Sequence, residues 1–140
     1  MDDWNPNLYL KFSTERTQPA IDLVIRLALT DPHDIVDLGC GPGNSTALLR
    51  ERWPRANIVG IDHSDEMIRE ARENYPAWKW VLKDIATWHS DFPVDLVFSN
   101  AALHWLPNHA ELFPKLFHQL RPGGAFAVQM PARFDSRSTV

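Results

Sequence analysis

The apolar positions of this chain fall into short runs separated by helical patterns. Ile35-Val36-Asp37-Leu38 is one such run, and Ile58-Val59-Gly60-Ile61, Trp78 to Leu82, Val94 to Ser99 and Ala125 to Met130 are four more. Runs of this length, bounded by turn residues, read as strands buried on both faces. Leu8 to Leu29 reads as one or two amphipathic helices, with Ile21, Val24, Ile25 and Ala28 on one face and Asp31-Pro32 as the stop. Ser45 and Thr46 suit the start of a second helix reaching about Arg52. Ser64 caps a third, which carries Met67, Ile68 and Ala71 and has acidic residues early and basic ones late, as the helix dipole favours. Ala110 to Leu120 reads as a fourth, stopped by Arg121-Pro122-Gly123-Gly124. The alternation predicts an α/β fold: a doubly wound, mostly parallel, Rossmann-like sheet with helices on both faces and right-handed crossovers.

Composition narrows the class. The chain has 140 residues, enough for one compact domain, divided here into a helical opening lid (1–30), an α/β core (31–132) and a polar, loose tail (133–140). The net charge is -4 and no dense Lys/Arg run occurs, so a nucleic-acid partner is not expected. No apolar run approaches the ~20 residues that span a bilayer, and the acidic opening lacks the apolar stretch of a secretory signal. Cys40 is the single cysteine, so neither an internal disulfide nor a cysteine metal cluster is expected. The six histidines are scattered without an H-x-x-x-H pair, which argues against a metal site. These features predict a cytoplasmic protein without a membrane partner, and leave the oligomeric state open.

The chemistry concentrates in Val36-Asp37-Leu38-Gly39-Cys40-Gly41-Pro42-Gly43-Asn44, a glycine-rich turn between a strand and a helix. Glycines allow positive φ and a close approach of backbone to ligand, and the helix start behind them offers free N–H groups to an anion. The dinucleotide fingerprint G-x-G-x-x-G is met at Gly39 and Gly41, but Asn44 stands where its last glycine belongs. That disfavours a pyrophosphate cradle, and with it an NAD-dependent oxidoreductase. Asp62 closes the second strand about 20 residues past the loop, the spacing at which a carboxylate meets ribose hydroxyls. A nucleoside-bearing ligand is therefore expected. Asp84, one strand further out, can accept from an adenine amino group while Ile85 packs on the ring; a helix-capping role is its rival reading. Asp37 can hydrogen-bond either the loop or a ligand ammonium.

The segments VDLGCGPGN, GIDHSDEM, KDIATW, VFSNAALHWL and LRPGGAFAVQMP resemble, in content and order, the class I S-adenosylmethionine-dependent methyltransferases. DWNPNLYLKFSTERTQPAIDL, CGPGNSTALL and LPNHAELFPKL extend the resemblance to the members of that family that methylate trans-aconitate, over almost the whole chain. The resemblance implies strand order 3-2-1-4-5, with S-adenosylmethionine as cofactor. It implies that Gly39, Gly41 and Asn44 border the methionine part, that Asp62 holds the ribose, that Asp84 and Ile85 surround the adenine, and that Asn100 lies near the sulfonium. His104 and Trp105 would wall the pocket. The family fold has two further strands after the fifth, which this sequence, ending at Val140, does not reach. The alternative is thus a truncated, non-catalytic S-adenosylmethionine-binding module or subunit.

Methyl transfer from a sulfonium needs neither metal nor strong base when the acceptor is a carboxylate, already ionised near neutral pH. No catalytic residue is singled out accordingly. A small polycarboxylate needs cations and donors, for which Tyr9, Arg16, His104 and Trp105 are the candidates, with Lys11 a weaker one. The bland alternative is that Arg16 and Lys11 are solvated helix residues and that Trp4 and Phe12 are packing.

Overall fold

The computed structural model describes residues 18–100 and 109–129. Five strands, β1 (Asp34–Leu38), β2 (Asn57–Asp62), β3 (Lys79–Leu82), β4 (Val94–Asn100) and β5 (Leu120–Gln129), form one sheet. Its order is β3-β2-β1-β4-β5 and every pair is parallel. Four helices, α1 (Gln18–Arg26), α2 (Asn44–Arg52), α3 (Asp65–Asn74) and α4 (His109–Phe117), cover it. None of the described helices is long and apolar enough to cross a membrane.

Side-chain alternation explains why the strands read as unbroken apolar runs. Ile35, Ile58, Leu96, Phe98 and Ala127 point to one face, under Ala20, Ile21 and Val24 of α1 and Leu48 and Leu49 of α2. Val36, Leu38, Ile61 and Val97 point to the other, against Leu112 and Leu116 of α4. α3 starts as expected: the Ser64 side chain accepts from Met67 N–H, and Asp65 and Glu66 occupy the first turn. Its Ile68 and Ala71 pack with Cys40 and Trp80.

Several boundaries move. Residues 18–26, expected within a lid, form a core helix, because Ala20 and Val24 are fully buried against the sheet. The aromatic part of that segment, with Trp4, Tyr9, Phe12 and Arg16, lies outside the described residues, as does the tail at 133–140. α2 begins at Asn44, after Gly43 in the left-handed conformation, and no side chain caps it. α4 ends at Phe117, and Arg121-Pro122-Gly123-Gly124 does not separate helix from strand but lies inside β5. Leu120 pairs with Val94 and Ala125 with Leu96, so β5 advances five residues while β4 advances two. The glycines make this bulge possible: Gly123 has φ 85, and a Cβ on Gly124 would lie 2.9 Å from the Asp95 carbonyl. A short 3-10 turn at Ile85–Thr87 was not expected; three residues are too few to show a helical period.

The amino ends of the strands are stapled by charge. Asp95 accepts from His33 N–H (2.8 Å) and Asp34 N–H (3.0 Å). The Arg121 guanidinium, delivered by the bulge, donates to Asp95 (2.6 Å), to Asp34 (3.4 Å) and to the Pro93 carbonyl (3.1 Å). Burial alone would raise the Asp95 carboxyl, but the bonds from Asp34 N–H, Arg121 and His33 N–H outweigh it and hold it below its ordinary value. A depressed carboxyl stabilises the fold above its unfolded pKa of about 4, and that contribution is lost as pH falls through the folded value. Asp95→Ala is expected to destabilise the protein at pH 7 by about 1 kcal/mol, the worth of such hydrogen bonds in a partly exposed setting. Thermal unfolding as a function of pH checks this: the gap to the parent should close in acid, below about pH 4.

Candidate functional site

The carboxyl ends of the strands share one rim, and the strand order reverses there between β1 and β4. A crevice outside the sheet at such a reversal is where open α/β folds take ligands. The glycine loop lies on it. Gly39, Gly41 and Gly43 have φ of 76, 56 and 103, so each needs a residue without a Cβ. The loop is anchored to the neighbouring strand: Gly39 N–H and Cys40 N–H both donate to the Ile61 carbonyl, at 2.7 and 3.0 Å. Among the described residues the space above Gly41 is open, since a Cβ there would meet none of them within 4 Å.

Asp62 reaches from the tip of β2 to this loop. One carboxylate oxygen accepts from Gly41 N–H at 3.0 Å and the other from Ser64 N–H at 2.9 Å. A carboxylate offers about four acceptor positions. Two are used, so roughly two remain for a donor pair arriving from the crevice. His63 stands beside it, with Nδ1 3.7 Å from the carboxylate and the side chain largely exposed.

Asp37 has a different task from either one expected. It is completely buried. One of its oxygens accepts from Ser45 Oγ at 2.7 Å and from Thr46 Oγ1 at 2.6 Å, both on the first turn of α2. Those hydroxyls therefore grip the carboxylate instead of capping the helix. The second oxygen is buried with no partner among the described residues. Burial raises the carboxyl to about 6, against the lowering effect of the two hydroxyl bonds, and Asp62 adds to the rise. In this arrangement Asp37 orients α2 from below through the two hydroxyls.

The remaining expectations divide. Asp84 ends up one strand beyond Asp62, where Lys83 N–H donates to the Asp62 carbonyl at 2.9 Å. Its Oδ1 accepts from Ala86 N–H at 2.9 Å, so the capping reading is realised. Ile85 is buried with Val36, Leu38 and Ile61, and core packing accounts for that burial. Asn44 opens α2, and Asn100 ends β4 next to β1, both at the rim. Tyr9, Arg16, His104 and Trp105 lie outside the described residues. Two features were missed. Ser99 donates to the Leu38 carbonyl at 2.9 Å under the loop, signalled only by a polar residue in an apolar strand. Tyr75 and Trp80 wall Gly43 from behind, which no sequence spacing announces.

The chain is similar to known methyltransferases. It is 53% identical to a trans-aconitate 2-methyltransferase of Azoarcus sp. (strain BH72), over 99% of this chain and 54% of that protein. It is 55% identical to the trans-aconitate 2-methyltransferase of Escherichia coli (strain K12 / DH10B), over 94% of this chain and 52% of that protein. The chain thus spans about half the length of the curated relatives it matches. Among solved structures, an S-adenosylmethionine-dependent methyltransferase from Mesorhizobium loti superposes with a TM-score of 0.70 at 29% identity, covering 84% of this chain and 54% of that one.

The raised Asp37 carboxyl has a measurable consequence. A buried acid with an elevated folded pKa binds extra protons in the native state, so its contribution to stability falls as pH rises from about 4 to about 6. Asp37→Asn removes that titration. Relative to the parent, the variant should gain about 2 kcal/mol between pH 4 and pH 7, read from denaturant unfolding at each pH. Asp37, the glycine loop, Asp62 and Asp84 all fall within residues 35–124, the stretch that matches the family described as a methyltransferase domain. That stretch is more than half of the chain, which therefore belongs to the methyltransferase domain family.

Proposed function

We propose that the chain binds S-adenosylmethionine between the glycine loop and Asp62. On this reading it is the cofactor-binding part of an enzyme that methylates a carboxylate of a small acid, trans-aconitate, to the monomethyl ester. The observation that carries the cofactor reading is Asp62. It is a nearly buried carboxylate fixed by two backbone N–H groups, with acceptor positions to spare and open space over Gly41 beside it. A ribose offers two adjacent hydroxyl donors that such a carboxylate can accept together. The first turn of α2 has no side-chain cap, so its orphan N–H groups suit the carboxylate of an amino acid moiety. Asp84, with one oxygen committed to Ala86 N–H, has its second for an adenine amino group.

When bound, the cofactor supplies a methyl group already activated by a positive sulfur. The protein then has to bind, orient and exclude water, and orientation alone is worth up to ~7–11 kcal/mol. The acceptor carboxylate needs no base near neutral pH. The choice of acid is supported by 53% identity over nearly the whole chain to a relative of that name. Tyr9, Arg16, His104 and Trp105 are the proposed acid-binding residues, with Asn100 at the sulfonium end.

Calorimetry with S-adenosylmethionine tests the first part. The wild-type chain should bind, and Asp62→Ala should raise Kd about tenfold or more, as loss of a charged hydrogen bond of ~1.5–3 kcal/mol requires. Unchanged affinity in that variant would sink the assignment. Incubation with trans-aconitate and labelled cofactor, followed by ester extraction, tests the second part. Labelled monomethyl ester is expected; binding without ester assigns the chain a binding role alone.

A further inference from the structure

The strongest feature that the cofactor reading leaves unused is the aromatic wall behind the glycine loop. Trp80 on β3 is buried, and its six-membered ring lies against Gly60 of β2: a Cβ on Gly60 would come within 2.4 Å of it. The same ring reaches the loop, where a Cβ on Gly43 would lie 3.0 Å from Trp80 and 2.9 Å from Tyr75. Trp80 Nε1 donates to the Tyr75 backbone carbonyl at 2.9 Å and so ties its ring to the chain just after α3. Tyr75 stacks on Trp78 with parallel planes and ring centroids 4.3 Å apart, and Arg50 of α2 lies over Trp78, 5.6 Å from its ring centroid. Asn74, the last residue of α3, donates to the Pro42 carbonyl at 3.3 Å.

We propose that Asn74, Tyr75 and Trp80 are positioning residues for cofactor binding, clamping Pro42 and Gly43 from behind so that the loop and the first turn of α2 keep the shape the ligand needs. The argument is geometric. Gly43 sits at φ 103 and is the residue from which α2 starts. Its conformation decides where the first N–H groups of that helix point. Among the described residues Gly43 N–H reaches the Cys40 carbonyl, at 3.1 Å, a bond internal to the loop. From outside, the loop is gripped by Asp62 and Ile61 at its near side and by this wall at its far side. Without the wall, Pro42 and Gly43 lose both a hydrogen-bond donor and the rings that fill the space behind them. Selecting the bound shape from a looser loop lowers the apparent affinity by the fraction of time spent elsewhere.

This inference rests on the cofactor reading, and the experiment separates the two. The probe is S-adenosylhomocysteine, measured by calorimetry on the whole chain at a temperature where circular dichroism shows each variant folded. Asn74→Ala should raise Kd about threefold with little change in thermal midpoint, since one neutral surface hydrogen bond is involved. Trp80→Leu should raise Kd about tenfold or more, as expected when a loop loses its pre-organisation. Trp53→Leu is the control: Trp53 is as buried as Trp80 but packs in the α1–α2 cluster away from the loop, so it should lose stability and keep its affinity. Wild-type tryptophan fluorescence should also change on binding, since Trp80 touches the loop. Folded Trp80→Leu binding like the parent makes the wall packing only and overturns the proposal. If that variant does not fold, parental affinity in both Asn74→Ala and Tyr75→Leu overturns it. A wild-type chain that binds no S-adenosylhomocysteine removes the cofactor reading and this inference together.

Discussion

One carboxylate joins the parts of the rim that would otherwise be separate. Asp62 accepts from Gly41 N–H on one side and Ser64 N–H on the other. It therefore couples the loop after β1 to the tip of β2 and to the start of α3. Gly39 and Cys40 reinforce the same junction through the Ile61 carbonyl. A group engaged in this way is pre-organised: its position is set before any ligand arrives, so little ordering remains to be done on binding. The same residue that shapes the loop thus offers the acceptor positions that a nucleoside would use.

Much of this was legible in the sequence, and the physics says why. Buried parallel strands are apolar on both faces, so Ile35-Val36 and Ile58-Val59 announce themselves without an alignment. The Ser64 cap was readable because its hydroxyl acts locally, three residues ahead. The glycine loop and Asp62 were readable because a strand, a tight turn and a crossover helix constrain their separation. What failed was non-local. Ser45 and Thr46 look like helix caps, but their hydroxyls turn to Asp37, eight and nine residues back. The Arg121-Pro122-Gly123-Gly124 stretch has the composition of a helix stop, yet pairing with β4 makes it a bulge within a strand. The wall formed by Tyr75 and Trp80 depends on how α3 returns to the sheet, which no periodicity encodes.

The two burials of charge at the site differ instructively. Asp62 keeps a small exposed area and resolves into hydrogen bonds at both oxygens. Asp37 is sealed, with one oxygen gripped twice and the other without a partner among the described residues. Burying an acceptor without a partner is unfavourable, and a protein that does so is retaining strain in a place where orientation matters. Here the strained group lies directly beneath the first turn of α2. The helix start is held from below by a side chain and from behind by aromatic rings.

At the opposite rim, the Asp34–Asp95–Arg121 staple joins residues 26, 61 and 87 positions apart in the chain. Each such closure costs loop entropy, which the intervening strands and crossovers offset once they are in place. An interaction absent from a folding transition state leaves the rate of folding almost untouched and slows unfolding instead. A staple that closes after that barrier works as a kinetic latch, lengthening the lifetime of a formed sheet without hastening its assembly.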